Sequence, residues 1–203
     1  MSDESRRLDS ICVYCGSSND ADPAYLAGAG ELGRALAAEG LRLVYGGGGV
    51  GLMGAVARGT HDARGRVLGI IPEFLQGREQ PFDDVETIVV SNMHERKMMM
   101  FERSDAFVVL PGGIGTLEEI VELLSWQRLD LHRKPIVFWD TAFWQPFFDL
   151  LEHTIRAKLT PPSLRDSYTA VDRIEDIVPA LRRMAGEEKP STAPMPQVAS
   201  GLT

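Results

Sequence analysis

Apolar residues in this chain fall into short unbroken runs separated by longer stretches where they recur every three or four positions. The short runs lie at 10–14, 41–45, 67–71, 86–90, 106–110 and 135–138, with a weaker one near 168–171. They are rich in branched and aromatic residues and read as strands. The longer stretches, at 23–38, 51–63, 93–104, 116–131, 143–158 and 174–184, carry helical spacing. Runs such as "FVVL" and "PIVF" lack polar alternation, as strands do when both faces are buried. Regular alternation of strand and helix predicts βαβ units. The expectation is a single α/β domain over 10–185, a Rossmann-like doubly wound parallel sheet with helices on both faces. A polar segment at 1–9 precedes it. From 186 to 203 the run "GEEKPSTAPMPQVASGLT" has no periodicity and predicts a disordered tail.

With 203 residues, 44% of them apolar, the chain can build one substantial core. Its net charge of -8 argues against non-specific binding to nucleic acid or anionic membranes, so an anionic ligand would need a local positive site. No apolar run approaches a membrane span, and the start has no signal-peptide pattern. Cys12 and Cys15 form "CVYC" at a strand end, where a redox pair is less expected than at a helix start. A reducing cytoplasmic setting is the expectation.

In parallel sheets of this kind ligands bind beyond the carboxyl ends of the strands, and two glycine-rich turns follow such ends. "YGGGGVGLMG" (45–54) contains Gly49, Gly51 and Gly54 at dinucleotide-fingerprint spacing, with Glu73 about where a ribose-binding acid would stand. It follows the second strand instead of the first, so close strand–helix packing is the competing reading. "LPGGIGTLEEI" (110–120) places Gly112, Gly113 and Gly115 before a helix, with Thr116 as N-cap or phosphate ligand. Leu117, Ile120, Val121 and Leu124 read as the core face of that helix. Glu118 and Glu122 share a polar side beside Ser125. Glu119 shares a stripe with Leu123 and Trp126 in the first turn after the loop. A working carboxylate is expected there, poorly solvated yet held ionised by the helix N-terminus.

Positive charge comes from "SNMHERKMMMFERS" (91–104), where Arg96 and Lys97 near a helix start fall on the ligand side of the sheet, with the methionines as core filler. His94 has no partner at metal-binding spacing, and neither metal nor cofactor is expected. A lysine-based pyridoxal phosphate enzyme would use Lys134 or Lys158, neither in a recognisable cofactor context.

"PGGIGTLEE" (111–119) and "MHERK" (93–97), with "YGGGGVGLMG" and "SWQRLDLHRKP", resemble the paired motifs of the Lonely Guy (LOG) family over most of 10–158. That family consists of cytokinin riboside 5'-monophosphate phosphoribohydrolases. Many such sequences have carried a lysine decarboxylase label. The resemblance implies hydrolysis of the N-glycosidic bond of such nucleotides, and of AMP in bacterial members, giving free base and ribose 5-phosphate. It implies Arg96 and Glu119 as the catalytic pair. Substrate contacts would come from Glu79, Arg96, Lys97, the run Gly112, Gly113, Ile114, Gly115, Thr116, Leu117, Glu118 and Glu119, and Ser125. Ile114 stands where tyrosine is common, and Ser125 where threonine is. The partner expected is a small nucleoside monophosphate, with no nucleic acid or membrane. A homodimer is expected from the family and from the stripe of Leu123 and Trp126. A nucleotide-binding module without catalysis is the alternative.

Overall fold

The computed structural model describes residues 7–80, 82 and 84–186. In chain order the elements are β1 (Ser10–Tyr14), α1 (Pro23–Ala38), β2 (Arg42–Tyr45), α2 (Gly51–Asp62), β3 (Val67–Pro72), α3 (Gln76–Glu79) and β4 (Glu86–Val90), then α4 (Met93–Glu102), β5 (Ala106–Val109), α5 (Ile114–Arg128), β6 (Ile136–Trp139), α6 (Thr141–Arg156), β7 (Thr169–Val171) and α7 (Ile177–Ala185). The strands form one seven-stranded sheet in the order β4-β3-β2-β1-β5-β6-β7, parallel throughout. The α/β expectation thus holds.

Successive strand side chains point to opposite faces, so β1 feeds two cores. Ile11 and Val13 pack with α1, α2 and α7 through Leu32, Val56 and Leu181. Cys12 and Tyr14 pack with α4, α5 and α6 through Met100, Ile120 and Trp144. Helix starts follow local chemistry. Asp22 caps α1 by accepting from Ala24 N at 2.8 Å, with Pro23 in the first turn, where its missing N–H is no loss. Asn92 caps α4 by accepting from Glu95 N.

Several expectations need correction. Leu8, within the polar segment expected at 1–9, is 6% exposed and belongs to the core. Helix α5 starts at Ile114 because Gly113 takes the N-cap position in extended conformation, and it stops before Asp130, whose φ is 59°. The buried face of α5 is Thr116, Ile120, Leu123, Leu124 and Gln127, whereas Val121 is exposed. The stripe of Leu123 and Trp126 therefore turns inward, with Trp126 edge-on to Phe101, and is not a free surface. The segment carrying Glu79, a 3-10 turn (Glu73–Leu75) running into α3, was too short to show periodicity. Of the tail, residues 187–203 lie outside the described residues; Gly186 ends α7 in left-handed conformation. Among the described residues no helix is long and apolar enough to cross a membrane.

Candidate active site

Strand β1 has β2 on one side and β5 on the other, so the turns leaving β1 and β5 diverge and open a crevice at the carboxyl ends. A cavity of about 310 Å³ lies there. Its walls come from the β1 end and turn (Cys15, Gly16, Ser17, Ser18), Gly46, Met53, Glu79, Arg96, Met100, and the α5 entrance with Gly113, Ile114, Gly115, Thr116 and Glu119.

The two glycine turns behave oppositely. In the 45–54 turn the amides around the α2 start have protein acceptors: Gly49 N donates to Glu79 O at 2.8 Å, Gly51 N to Asn19 Oδ1 at 2.9 Å, and Leu52 N to Gly16 O at 3.0 Å. Gly51 has φ 57°, and a Cβ on it would lie 2.5 Å from Ser17 C. These glycines serve packing, which leaves no free helix-start amides at Gly51 and Leu52 for a pyrophosphate. Glu73 is exposed and does not line the cavity.

At α5 the N-cap Gly113 provides no side chain, so the first-turn amides lack a side-chain cap where they border the cavity. A Cβ on Gly112 would come within 2.2 Å of Thr116 Oγ1, but one on Gly113 or Gly115 would meet nothing within 4 Å. Packing inside the protein thus explains the first glycine and not the other two. Thr116 is buried in the first turn, after the N-cap position, and borders the cavity.

Arg96 is 5% exposed and fixed from two strand ends: Nε donates to Ile70 O at 3.2 Å and Nη2 to Gly46 O at 2.8 Å. A Cβ on residue 46 would stand 2.0 Å from Arg96 Nη2, so Gly46 makes room for the guanidinium. Glu79 Oε2 lies 3.7 Å from Arg96 Nη2, is buried, and has no hydrogen-bond partner among the described residues. Burial raises its pKa, with Arg96 pulling the other way. Glu119 is affected more strongly. Burial pushes it up to about 7, against the attraction of Arg96 and with help from the Glu118 and Glu79 carboxylates. The poor solvation expected of this acid is what dominates: burial raises its pKa where the helix start was expected to hold it ionised.

The cavity brings together Glu79, Arg96, Gly113, Ile114, Gly115, Thr116 and Glu119. Gly112 borders a neighbouring cavity of about 220 Å³, walled by Tyr25, Leu52, Pro111 and Phe143. Lys97, Leu117, Glu118 and Ser125 line neither. Lys97 instead bonds to Glu118 and, at 2.8 Å, to Glu122, while Ser125 is exposed farther along α5. His94 is exposed and away from the cavity. Cys12 and Cys15 are free buried thiols directed into different cores, with burial raising both pKa values, so "CVYC" is not a redox pair. No described lysine lines the cavity; Lys134 Nζ donates to Phe101 O and Ser104 O. Among the described residues no three His, Cys, Asp or Glu side chains gather as a metal site.

Sequence reading missed the Gly16–Ser18 wall. Its signal, "GSS" directly after the first strand, becomes meaningful only once β1 is known to lie beside β5.

Fold and cavity define a Rossmann-like α/β protein with its site at the switch point of the sheet. A family model described as "Possible lysine decarboxylase" matches residues 53–181. Over 182 residues the chain is 41% identical to the probable cytokinin riboside 5'-monophosphate phosphoribohydrolase LOGL9 of Oryza sativa subsp. japonica, covering 85% of this chain and 80% of that one. It is 37% identical to the cytokinin riboside 5'-monophosphate phosphoribohydrolase LOG3 of Arabidopsis thaliana, covering 86% and 82%. Among solved structures, the molybdenum cofactor binding protein from Rippkaea orientalis superposes with a TM-score of 0.65 at 26% identity, covering 88% of this chain and 98% of that one. The chain belongs to the LOG family.

Proposed function

We propose that this protein hydrolyses the N-glycosidic bond of cytokinin riboside 5'-monophosphates, and of AMP, to free base and ribose 5-phosphate. One observation carries the reading: the more strongly desolvated of the cavity's two acids, Glu119, stands on the same helix whose uncapped start borders that cavity. Between Ile114 and Glu119 the helix rises about 7.5 Å, the order of the span from a ribose 5'-phosphate to its anomeric carbon. A phosphate on the amides of Gly113, Ile114 and Gly115 and the Thr116 hydroxyl would put C1' near the Glu119 carboxylate. Glu79, whose Oε2 is a buried acceptor without a donor among the described residues, suits the ribose hydroxyls, as acids do in dinucleotide sites.

Cleavage of such bonds passes through an electron-poor, oxocarbenium-like sugar. Ionised Glu119 stabilises that charge and takes a proton from the attacking water. The water oxygen bonds to C1', and the C1'–N electron pair departs with the base, which takes up a proton from solvent. Arg96 cannot swing away, because two backbone carbonyls fix it. It holds the charge balance between Glu79 and Glu119 while the substrate is seated.

The assembly we propose is a homodimer, with exposed Ile114 and Val121 of α5 as the surface a second copy covers; sedimentation tests it. The setting we propose is cytoplasmic, in accord with two free thiols. For the activity, isopentenyladenosine monophosphate and AMP are incubated with the protein and released bases quantified by chromatography. Base release abolished by Glu119→Gln supports the reading. Nucleotide binding with no release by the wild type overturns it in favour of a non-catalytic module.

A further inference from the structure

Arg96 and Glu119 come from different helices, so something must fix α4 against α5 at the site. Their sequence neighbours do so. Lys97 follows Arg96, and Glu118 precedes Glu119. Lys97 Nζ bonds to Glu118 Oε1 and to Glu122 Oε2 at 2.8 Å. Adjacent helix positions point about 100° apart, so each helix offers one side chain to the cavity and the next to this clasp. The Lys97 side chain is only 12% exposed and Glu122 29%, so the Lys97–Glu122 arm is shielded, whereas Glu118 is 52% exposed and its arm is an ordinary surface pair. Apolar packing also joins the two helices, through Met100 and Ile120 in the shared core and through Phe101 against Trp126, which lies about a turn beyond Lys97 on α4 and a turn beyond Glu122 on α5; the clasp is a polar tie between them at the site end.

We infer that Lys97 is a positioning residue: its clasp on Glu118 and Glu122 sets the separation of Arg96 and Glu119 across the cavity, and it does not contact the substrate. The inference rests on the reading of Arg96 and Glu119 as the reacting pair. The cavity's own lining supports it, since neither Lys97 nor its two acids belong to that lining. The state of the ammonium agrees. Burial works to lower its pKa, and the two carboxylate bonds outweigh it and raise it, so the lysine stays charged and engaged. Charge reaches Glu119 too: Arg96 and Lys97 of α4 lower its pKa, whereas Glu118 of its own helix and Glu79 of α3 raise it. From β1, Cys12, Cys15 and Tyr14 border the same acid.

Three variants test this in steady-state kinetics across pH: Lys97→Met, Lys97→Arg, and Glu118→Gln combined with Glu122→Gln. A misplacement near 1 Å costs about a hundredfold in rate. Lys97→Met is expected to lower kcat between tenfold and about a hundredfold, to leave KM within about threefold of the wild type, and to move the kcat/KM midpoint upward. The acid pair keeps Lys97 and is expected to reproduce the loss of kcat. Adding Lys97→Met to it is expected to cost little more, because residues of one network do not act additively. Lys97→Arg should recover most of the rate. A large KM increase with unchanged kcat in Lys97→Met, or tighter binding in the acid pair once its lysine is released, would make Lys97 a substrate ligand and overturn the inference. A wild type that releases no base defeats the catalytic reading instead.

Discussion

Replacing Glu119 by glutamine should make the protein more stable while stopping the reaction. A carboxyl whose ordinary pKa is 4.5 is pushed to about 7 in the folded chain, first by burial and then by neighbouring carboxylates. The sign follows from proton counting. Between these values the folded state holds a proton that the unfolded state has lost, so stability falls as pH rises. This contribution is complete below about pH 4.5, declines up to about pH 7 and is flat above. At 1.36 kcal/mol for each tenfold change in proton affinity, the full loss is about 3 kcal/mol. Residual exposure of Glu119 to the cavity makes that a ceiling. Glutamine keeps the shape and cannot ionise, so the variant escapes the penalty. Urea melts from pH 4 to pH 9 measure it: the two proteins should converge near pH 4 and separate by about 1–3 kcal/mol at pH 8. In thermal melts this is a rise of several degrees, at about 2–4 °C per kcal/mol for a domain of this size. Turnover should vanish over the whole range. A stability difference independent of pH, or a glutamine variant less stable at pH 8, would refute the claim that this acid is held in a desolvated site.

Three more outcomes follow from the geometry. Gly46→Ala should cut kcat/KM by more than about tenfold with less than about 2 kcal/mol lost in a urea melt, because its Cβ would displace the end of the Arg96 side chain instead of backbone. Gly51→Ala should destabilise by about 2–4 kcal/mol in the same assay, since a left-handed φ and a 2.5 Å approach to Ser17 C both oppose a side chain. In wild-type kinetics kcat/KM should rise with pH through about 7, and in Glu79→Gln that midpoint should fall, because the Glu79 carboxylate raises Glu119.

Much of the fold was legible because buried parallel strands write themselves as apolar runs: "FVVL" and "PIVF" gave β5 and β6 to within a residue or two. Strand order was not legible, since it depends on which crossover passes which face. With it went the Gly16–Ser18 wall, which meets α5 only because β1 lies beside β5. Glu79 stood in a helix of four residues, too short for any periodicity, and came from family resemblance alone. Lys97 shows the opposite failure. Its place beside Arg96 near the start of α4 was read from the sequence, but a one-residue rotation about α4 turns it toward Glu118 and Glu122.

The two glycine turns are alike in sequence and differ in what their backbones do. Both follow a strand, both open a helix, and by composition both are fit to hold a phosphate. What separates them is where the backbone N–H groups go, because a buried amide must find an acceptor somewhere. At α2 the acceptors are Asn19 Oδ1 and Gly16 O, supplied by the loop that follows β1. At α5 the cap is a bare Gly113, and Cβ atoms at 113 and 115 would enter open space. A helix start left in that condition, bordering a cavity that also holds a buried arginine and two desolvated acids, is the place where the phosphate of the proposed substrate would find donors. The first turn is thus spent on building the wall, and the second is the one the proposed function assigns to the phosphate. For that reason the acid stands on α5, one turn beyond the open amides, where a group tethered through its phosphate would present its far end.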